Sequence, residues 1–304
     1  MEYIVTTEGL CKSYRHFKAL NDLTMHVPKG SIYGFVGKNG AGKTTLIRLL
    51  CGLQTPTAGS YSLYGKSYRS KDIAAERRRM GAVVETPSLY LDLSAEDNLK
   101  EQYRILGLPS EEGIAPLLDL VGLQNAGKKR AKDFSLGMRQ RLGIALALAG
   151  DPDFLVLDEP VNGLDPQGII EMRELILRLN QERQITVLIS SHILDELARL
   201  ATHYGFIDAG HMVKEISAAE LENACRKCLR LQVNDTRLLP QVLDTLHIEY
   251  HVLSGSEVDI FAPISLSRLA RKLDSVGCEI ITARERDESL ESYYINLLGG
   301  VRHE

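Results

Sequence analysis

Gly37-Lys38-Asn39-Gly40-Ala41-Gly42-Lys43-Thr44 is the stretch that decides the fold of this chain. It matches G-x-x-x-x-G-K-[ST], the pattern of a loop that wraps phosphate oxygens. Glycines let the backbone come close to an anion without a side chain in the way. The apolar run Ser31–Val36 precedes the loop. After it, Leu46, Ile47, Leu49, Leu50 and Leu53 recur at helical spacing. Strand, glycine turn and helix is therefore the local expectation. The N–H groups from Asn39 to Thr45 would point into one cavity at the positive end of that helix. Lys43 offers a point charge to the β- and γ-phosphates, and the Thr44 hydroxyl reaches a magnesium ion.

A second segment supplies the complement. Phe154-Leu-Val-Leu-Asp158-Glu159 is a buried-strand run ending in two acids. It sets Asp158 at the carboxyl edge of a sheet, where nucleotides bind in such folds. Asp158 would hold the metal directly or through water, leaving Glu159 to orient and polarise a water in line with the γ-phosphate. Ile185–Ile189 reads as another buried strand, and Ser94-Ala-Glu-Asp97 as a capping box for a helix to Leu106, stopped by Gly107-Leu-Pro109. Apolar strands separated by helices predict a mainly parallel sheet covered on both faces.

With these segments stand Phe134-Ser-Leu-Gly-Met-Arg-Gln-Arg141, Asn162-Gly-Leu-Asp165, Ser190-Ser-His192 and Lys12-Ser-Tyr-Arg15. In that order they resemble the nucleotide-binding subunit of an ABC transporter, more narrowly the bacitracin/lantibiotic-resistance type. The resemblance spans about residues 3–216. It implies an α/β P-loop NTPase cassette with a RecA-like core and antiparallel β and α-helical subdomains. It also implies ATP and Mg²⁺ as ligands, with ATP hydrolysis driving a separate membrane permease that exports an antimicrobial peptide or bacitracin-like drug. Ser135 and Gly137 would then close the γ-phosphate site of a second copy in a homodimer, with Asp165 in the D-loop. His192 would sense the γ-phosphate and orient Glu159. Tyr14 would stack on adenine, with Phe17 as the competing aromatic. The subunit would lie in the cytoplasm, peripheral on the inner face of the membrane.

Ser135 and Gly137 also have a reading from the residues alone. A hydroxyl, a small residue and free helix N–H groups at the start of an apolar helix make an anion site. His192 follows a buried strand, flanked by Ser190-Ser191 and by Asp195-Glu196.

Two departures from the family pattern matter. Glu85, in Ala82-Val-Val-Glu85-Thr-Pro, stands where the family usually has Gln. Its carboxylate could ligate Mg²⁺ while adding negative charge near the γ-phosphate, or remain a solvated loop acid. Leu136 and Met138 replace a Gly and a Gln in the signature segment. By analogy, permease helices would dock beside residues 85–106, which makes Glu85 a coupling residue too.

Residues 1–216 are expected to form the cassette and 217–304 an accessory α+β domain. In the latter, strand Leu229–Val233, helix Thr236–Leu246, strands Ile248–Leu253 and Glu257–Phe261, helix Ser265–Val276 and strand Glu279–Arg284 give a βαββαβ, ferredoxin-like order. A helix from Ser217 to Lys227 precedes it and one from Glu288 to Leu298 follows. This region lacks a phosphate loop, so a regulatory or dimer-stabilising role is expected of it.

Composition narrows the classes. The chain has 304 residues, with 36 Lys plus Arg against 40 Asp plus Glu, a formal charge of −4. That balance argues against a partner held by nucleic-acid phosphates. No apolar run approaches the roughly 18 residues of a membrane span, and the acidic start Met1–Glu8 is unlike a signal peptide. Five cysteines fit reduced thiols better than a disulfide framework. Cys225-x-x-Cys228 with His247 and His251 imitates a zinc outline, but a strand and a helix fill the gap, so free thiols are expected. Glu76-Arg-Arg-Arg79 reads as a solvated helix face, with a phospholipid or permease contact as the alternative. Two rival functions remain open. A soluble translation or repair ABC ATPase would bring a second cassette, a coiled coil or zinc modules. A P-loop kinase or GTPase would need neither Ser135 nor His192.

Overall fold

The structure, a computed structural model, describes residues 2–225, 227–261, 264–286 and 290–300. The chain divides between Ala218 and Ala219 into two compact units.

The first unit opens with a long hairpin, β1 (Tyr3–Tyr14) and β2 (Phe17–Pro28). Next come β3 (Ile32–Val36), α1 (Lys43–Leu50), β4 (Ala58–Leu63), β5 (Lys66–Ser67), α2 (Ile73–Arg77) and β6 (Met80–Val83). A helical insertion follows, of α3 (Ala95–Leu106), α4 (Ile114–Leu120) and α5 (Leu136–Leu148). Then come β7 (Phe154–Asp158), α6 (Pro166–Arg183), β8 (Thr186–Ser191), α7 (Leu194–Ala198), β9 (His203–Asp208) and β10 (His211–Ser217), and α8 (Ala218–Ala224) starts at the boundary and runs into the second unit.

Two sheets result. One is antiparallel, in the order β2-β1-β4-β5; the other runs β10-β9-β3-β8-β7-β6. In the second, β9, β3, β8, β7 and β6 are parallel and β10 is an antiparallel edge. Every residue of β3, β7 and β8 is buried. These strands therefore read as continuous apolar runs, as expected of a parallel sheet covered on both faces. One core holds the two sheets to α1: Leu10, Leu23 and Met25 pack with Leu46, Ile47 and Val156.

Local chemistry sets the helix ends. Ser94 accepts from the Asp97 N–H to start α3, and Gly107 ends it at a φ of 69°. Asp165 accepts from the Gly168 N–H at 2.8 Å to start α6, with Pro166 at the first helical position. The helix expected from the spacing of Leu46 to Leu53 begins at Lys43 and stops at Leu50.

The second unit carries β11 (Cys228–Val233), α9 (Pro240–Leu243), β12 (Tyr250–Val252), β13 (Glu257–Ile260), α10 (Leu266–Asp274), β14 (Ile280–Arg286) and α11 (Leu290–Gly300). Its sheet is antiparallel in the order β12-β13-β11-β14. In sequence terms the strands lie second, third, first, fourth, the ferredoxin-like arrangement. Val242, Leu243, Leu269 and Leu273 from the helices cover Leu231, Val233, Val258 and Ile260 of this sheet. The single helix expected over Thr236–Leu246 is instead a 3₁₀ turn at Thr236–Leu238 and the short α9. Pro240 causes the break, because it has no N–H to donate into the preceding turn. Glu288 and Ser289, the expected start of the last helix, lie outside the described residues.

Candidate functional site

The loop Gly37–Gly42 joins the carboxyl end of β3 to the start of α1. Two of its glycines are sterically required. A Cβ on Gly42, at a φ of 114°, would come 2.5 Å from the Ala19 carbonyl oxygen; one on Gly37 would come 2.6 Å from that of Ile207. The Gly37 N–H donates to the Ser191 carbonyl at 3.4 Å, and the Ala41 N–H donates to that of Lys38 at 3.1 Å. Lys38, Asn39 and Gly40 are exposed, whereas Ala41 is buried. No side chain caps α1, and no acid stands in its first turn. Its first N–H groups thus remain available to an anion. Thr44 and Thr45 follow on this first turn, both half-buried.

Lys43 is 6% exposed and held tightly. Its ammonium donates to the carbonyls of Gly37 at 2.6 Å and Lys38 at 3.2 Å. It also stands 3.1 Å from Glu159 Oε1. The other oxygen of Glu159 is 2.7 Å from His192 Nδ1. With the carboxylate as acceptor, the imidazole donates that hydrogen bond. Glu159 therefore bridges the phosphate-loop lysine and the histidine after β8.

The backbone at Glu159 is left-handed, with a φ of 49°. For a residue with a Cβ this costs about 1–3 kcal/mol and needs support. Support comes from Ser190, whose carbonyl accepts the Glu159 N–H at 3.2 Å and whose Oγ lies 3.0 Å from the same nitrogen. Ser190 Oγ donates in turn to Asp158 Oδ1 at 2.6 Å. Asp158 is buried, and its Oδ2 has no hydrogen-bond partner among the described residues. A buried, bare carboxylate oxygen at the end of β7 is what a hard divalent cation takes as ligand, so these residues fit a magnesium ion.

Other expected residues sit apart from this cluster. Ser135 caps α5, accepting from the Met138 N–H at 3.2 Å. Gly137 lies on the first turn of that helix, and a Cβ there would meet only Leu164, at 3.7 Å. Asp165 is engaged as the cap of α6, and the approach of Gly137 to Leu164 and of Leu136 to Gly163 makes the signature and D-loop segments adjoin within one chain. Tyr14 and Phe17 form the last pair of the β1–β2 hairpin, and both are exposed. The Tyr14 hydroxyl bonds Gln54, while the Phe17 ring bears no such tie.

Glu85 turns to Arg48, with Oε1 2.6 Å from Nη2. This pair belongs to a groove of about 1050 Å³, which Leu53, Val84, Leu146 and Arg78 also line. The basic run is a solvated face except at Arg77. Arg77 donates to the Leu50 carbonyl and the Tyr61 hydroxyl, and Arg79 pairs with Glu76 and Asp153. Arg77 is half-buried by its contacts, whereas Arg78 and Arg79 remain exposed.

Sequence reasoning noted Ser190 only as a neighbour of His192. A polar residue in an otherwise apolar strand run was the available signal. Arg48 carried none. Cys225 is half-buried and Cys228, at the start of β11, is buried. No helix among the described residues is long and apolar enough to cross a membrane.

A P-loop ATPase cassette is the class that this sheet, loop and carboxylate pair define. The family model for ABC transporter matches residues 20–162. The chain is 41% identical to the bacitracin transport ATP-binding protein BcrA of Bacillus licheniformis, over 99% of both chains. It is 37% identical to the protein of that name from Enterococcus faecalis, over 99% of this chain and 98% of that one. With the lantibiotic transport ATP-binding protein SrtF of Streptococcus pyogenes it shares 47% identity, over 68% of this chain and 88% of that one. Among solved structures, cbiO1 of Clostridium perfringens, part of the ABC transporter complex cbiONQ, superposes with a TM-score of 0.66 at 26% identity. That match covers 73% of this chain and 92% of the other. A dimeric ATP-binding cassette bound to ADP and Pi shares the fold at a TM-score of 0.63 and 22% identity, over 70% of this chain and 98% of that one. The chain belongs to the ATP-binding subunits of ABC transporters, and is an ATPase whose hydrolysis is coupled to transport.

Proposed function

We propose that this subunit hydrolyses ATP at the Lys43–Glu159–His192 cluster to drive export of a peptide antibiotic of the bacitracin or lantibiotic kind through a separate permease. The observation that carries the chemistry is the bridging of Lys43 and His192 by one carboxylate, beside the bare oxygen of Asp158. The printed names of the relatives support the substrate class.

The loop N–H groups and Lys43 bind the β- and γ-phosphates. Thr44 and Asp158 would hold a magnesium ion, which would supply charge neutralisation on the phosphate oxygens. Glu159 accepts a hydrogen bond from the attacking water and takes its proton. The water oxygen then bonds the γ-phosphorus as the bond to ADP breaks. His192 fixes the orientation of Glu159 through Nδ1. Ser135 and Gly137 of a second copy complete the site from the far side of the γ-phosphate, with Asp165 beside them, and Tyr14 or Phe17 stacks on adenine. The permease docks in the groove holding Glu85 and Arg48, which sets the subunit on the inner face of the membrane. The unit after Ala218 is an accessory module that steadies the dimer or regulates it.

Cells that express the chain with its own permease test this. Resistance to the peptide antibiotic should appear with the wild type and vanish with Glu159→Gln. Equal resistance in both would refute the coupling.

A further inference from the structure

Ser190 faces Asp158 directly across the β7–β8 pairing. It is fully buried, and Asp158 nearly so. Its hydroxyl has one proton, spent on Asp158 Oδ1 at 2.6 Å, and a lone pair that faces the Glu159 N–H at 3.0 Å. Its carbonyl accepts from the same N–H at 3.2 Å. One side chain thus touches the residue that offers a bare oxygen and the residue that bridges Lys43 and His192.

We infer that Ser190 is a positioning residue for both carboxylates: its hydroxyl occupies Asp158 Oδ1 so that Oδ2 alone is presented to the metal, and it steadies the left-handed turn that aims Glu159. This rests on the assignment of Asp158 to the metal. With Ser190 truncated, Oδ1 loses its donor in a buried setting, and the hydrogen bond that holds the carboxylate in its present rotation is gone. The Glu159 N–H would retain only the carbonyl. Groups that orient a metal ligand from behind typically matter about 10- to 100-fold in affinity or activity when removed.

The full-length protein serves for the test, with Mn²⁺ as probe, read by electron paramagnetic resonance in the presence of ADP. Ser190→Ala should bind Mn²⁺ about tenfold more weakly. Its kcat for phosphate release should fall by about the same factor, with KM for ATP within roughly threefold of the wild type. Nucleotide binding without metal, and the melting temperature, report that the variant is folded. Should it not fold, Ser190→Cys, whose thiol is a weak donor, is read against the same thresholds. Ser190→Thr keeps the hydroxyl and should restore both parameters. A Thr variant as impaired as the Ala variant would overturn the proposal, because volume and not the hydroxyl would then matter. Asp158→Asn separates the two layers. If it weakens Mn²⁺ binding while Ser190→Ala matches the wild type, the inference about Ser190 fails alone. If Asp158→Asn also leaves Mn²⁺ binding unchanged, the metal assignment fails and takes this inference with it.

Discussion

The Lys43 ammonium stands 3.1 Å from Glu159 Oε1. The cation meant for the phosphates and the carboxylate meant for the water are therefore partners in this structure. A γ-phosphate entering the loop must take Lys43 from Glu159. The carboxylate released in that exchange is the one that His192 already holds.

Nucleotide affinity should follow this competition. Lys43→Ala removes charge-assisted hydrogen bonds of about 1.5–3 kcal/mol, so ATP should bind about 10- to 100-fold more weakly. Glu159→Gln removes the competing charge, so ATP should bind at least as tightly as to the wild type. Isothermal titration separates the two. Wild-type affinity in Lys43→Ala would remove the loop from the account.

Glu85 should divide the ATPase from transport. Its pair with Arg48 is exposed, and such pairs contribute about 0–1 kcal/mol. Glu85→Ala should therefore leave the melting temperature and nucleotide affinity of the isolated subunit near wild type, while resistance in cells falls. Glu85→Gln should keep nucleotide binding and much of the ATPase rate. A shift of its Mg²⁺ dependence to higher concentration would put the carboxylate in the metal site during turnover, since a charged oxygen is the better hard ligand. If both variants match the wild type in Mg²⁺ titration and in resistance, Glu85 is a solvated loop acid.

Truncation after Ala218 should leave nucleotide binding within about threefold, a change of about 0.65 kcal/mol. The loop, both carboxylates and His192 all lie in the first compact unit, which has its own core. A fluorescent-nucleotide titration of the truncated chain checks this. Loss of binding in a chain with an intact far-ultraviolet spectrum would give the second unit a role in the site.

Cys51, at the end of α1, should resist alkylation. Burial pushes its thiol up to about 12; Asp158 adds to the shift and Arg77 opposes it. Only the thiolate reacts, so carbamidomethylation at pH 8 should be slower than for a free cysteine by a factor on the order of 10² or more. Mass spectrometry of the native and the denatured chain, side by side, reads the difference.

What the sequence disclosed follows from how local each signal is. β3, β7 and β8 were legible because both of their faces are buried, which leaves unbroken apolar runs. The β1–β2 hairpin was not read from the residues, and the family resemblance implied only an antiparallel β subdomain. Its pairing shifts register between Thr7 and Leu10 and again near Lys12, so the twofold alternation that marks a strand is interrupted. Lys43, Asp158 and Glu159 lie in patterned segments and could be named in advance. Their mutual contacts could not, because Glu159 meets Lys43 and Ser190 across the sheet. The same holds for Glu85, whose partner Arg48 lies 37 positions earlier in the chain.

Phosphate release by the purified protein with Mg²⁺ and saturating ATP, for the wild type beside Glu159→Gln, tests the central claim most directly. Hydrolysis by the wild type is expected, with a loss of about 10²-fold or more in the variant while ATP remains bound, the usual weight of a general base. Equal turnover by the two proteins would contradict the assignment of Glu159, and with it the site built around that residue.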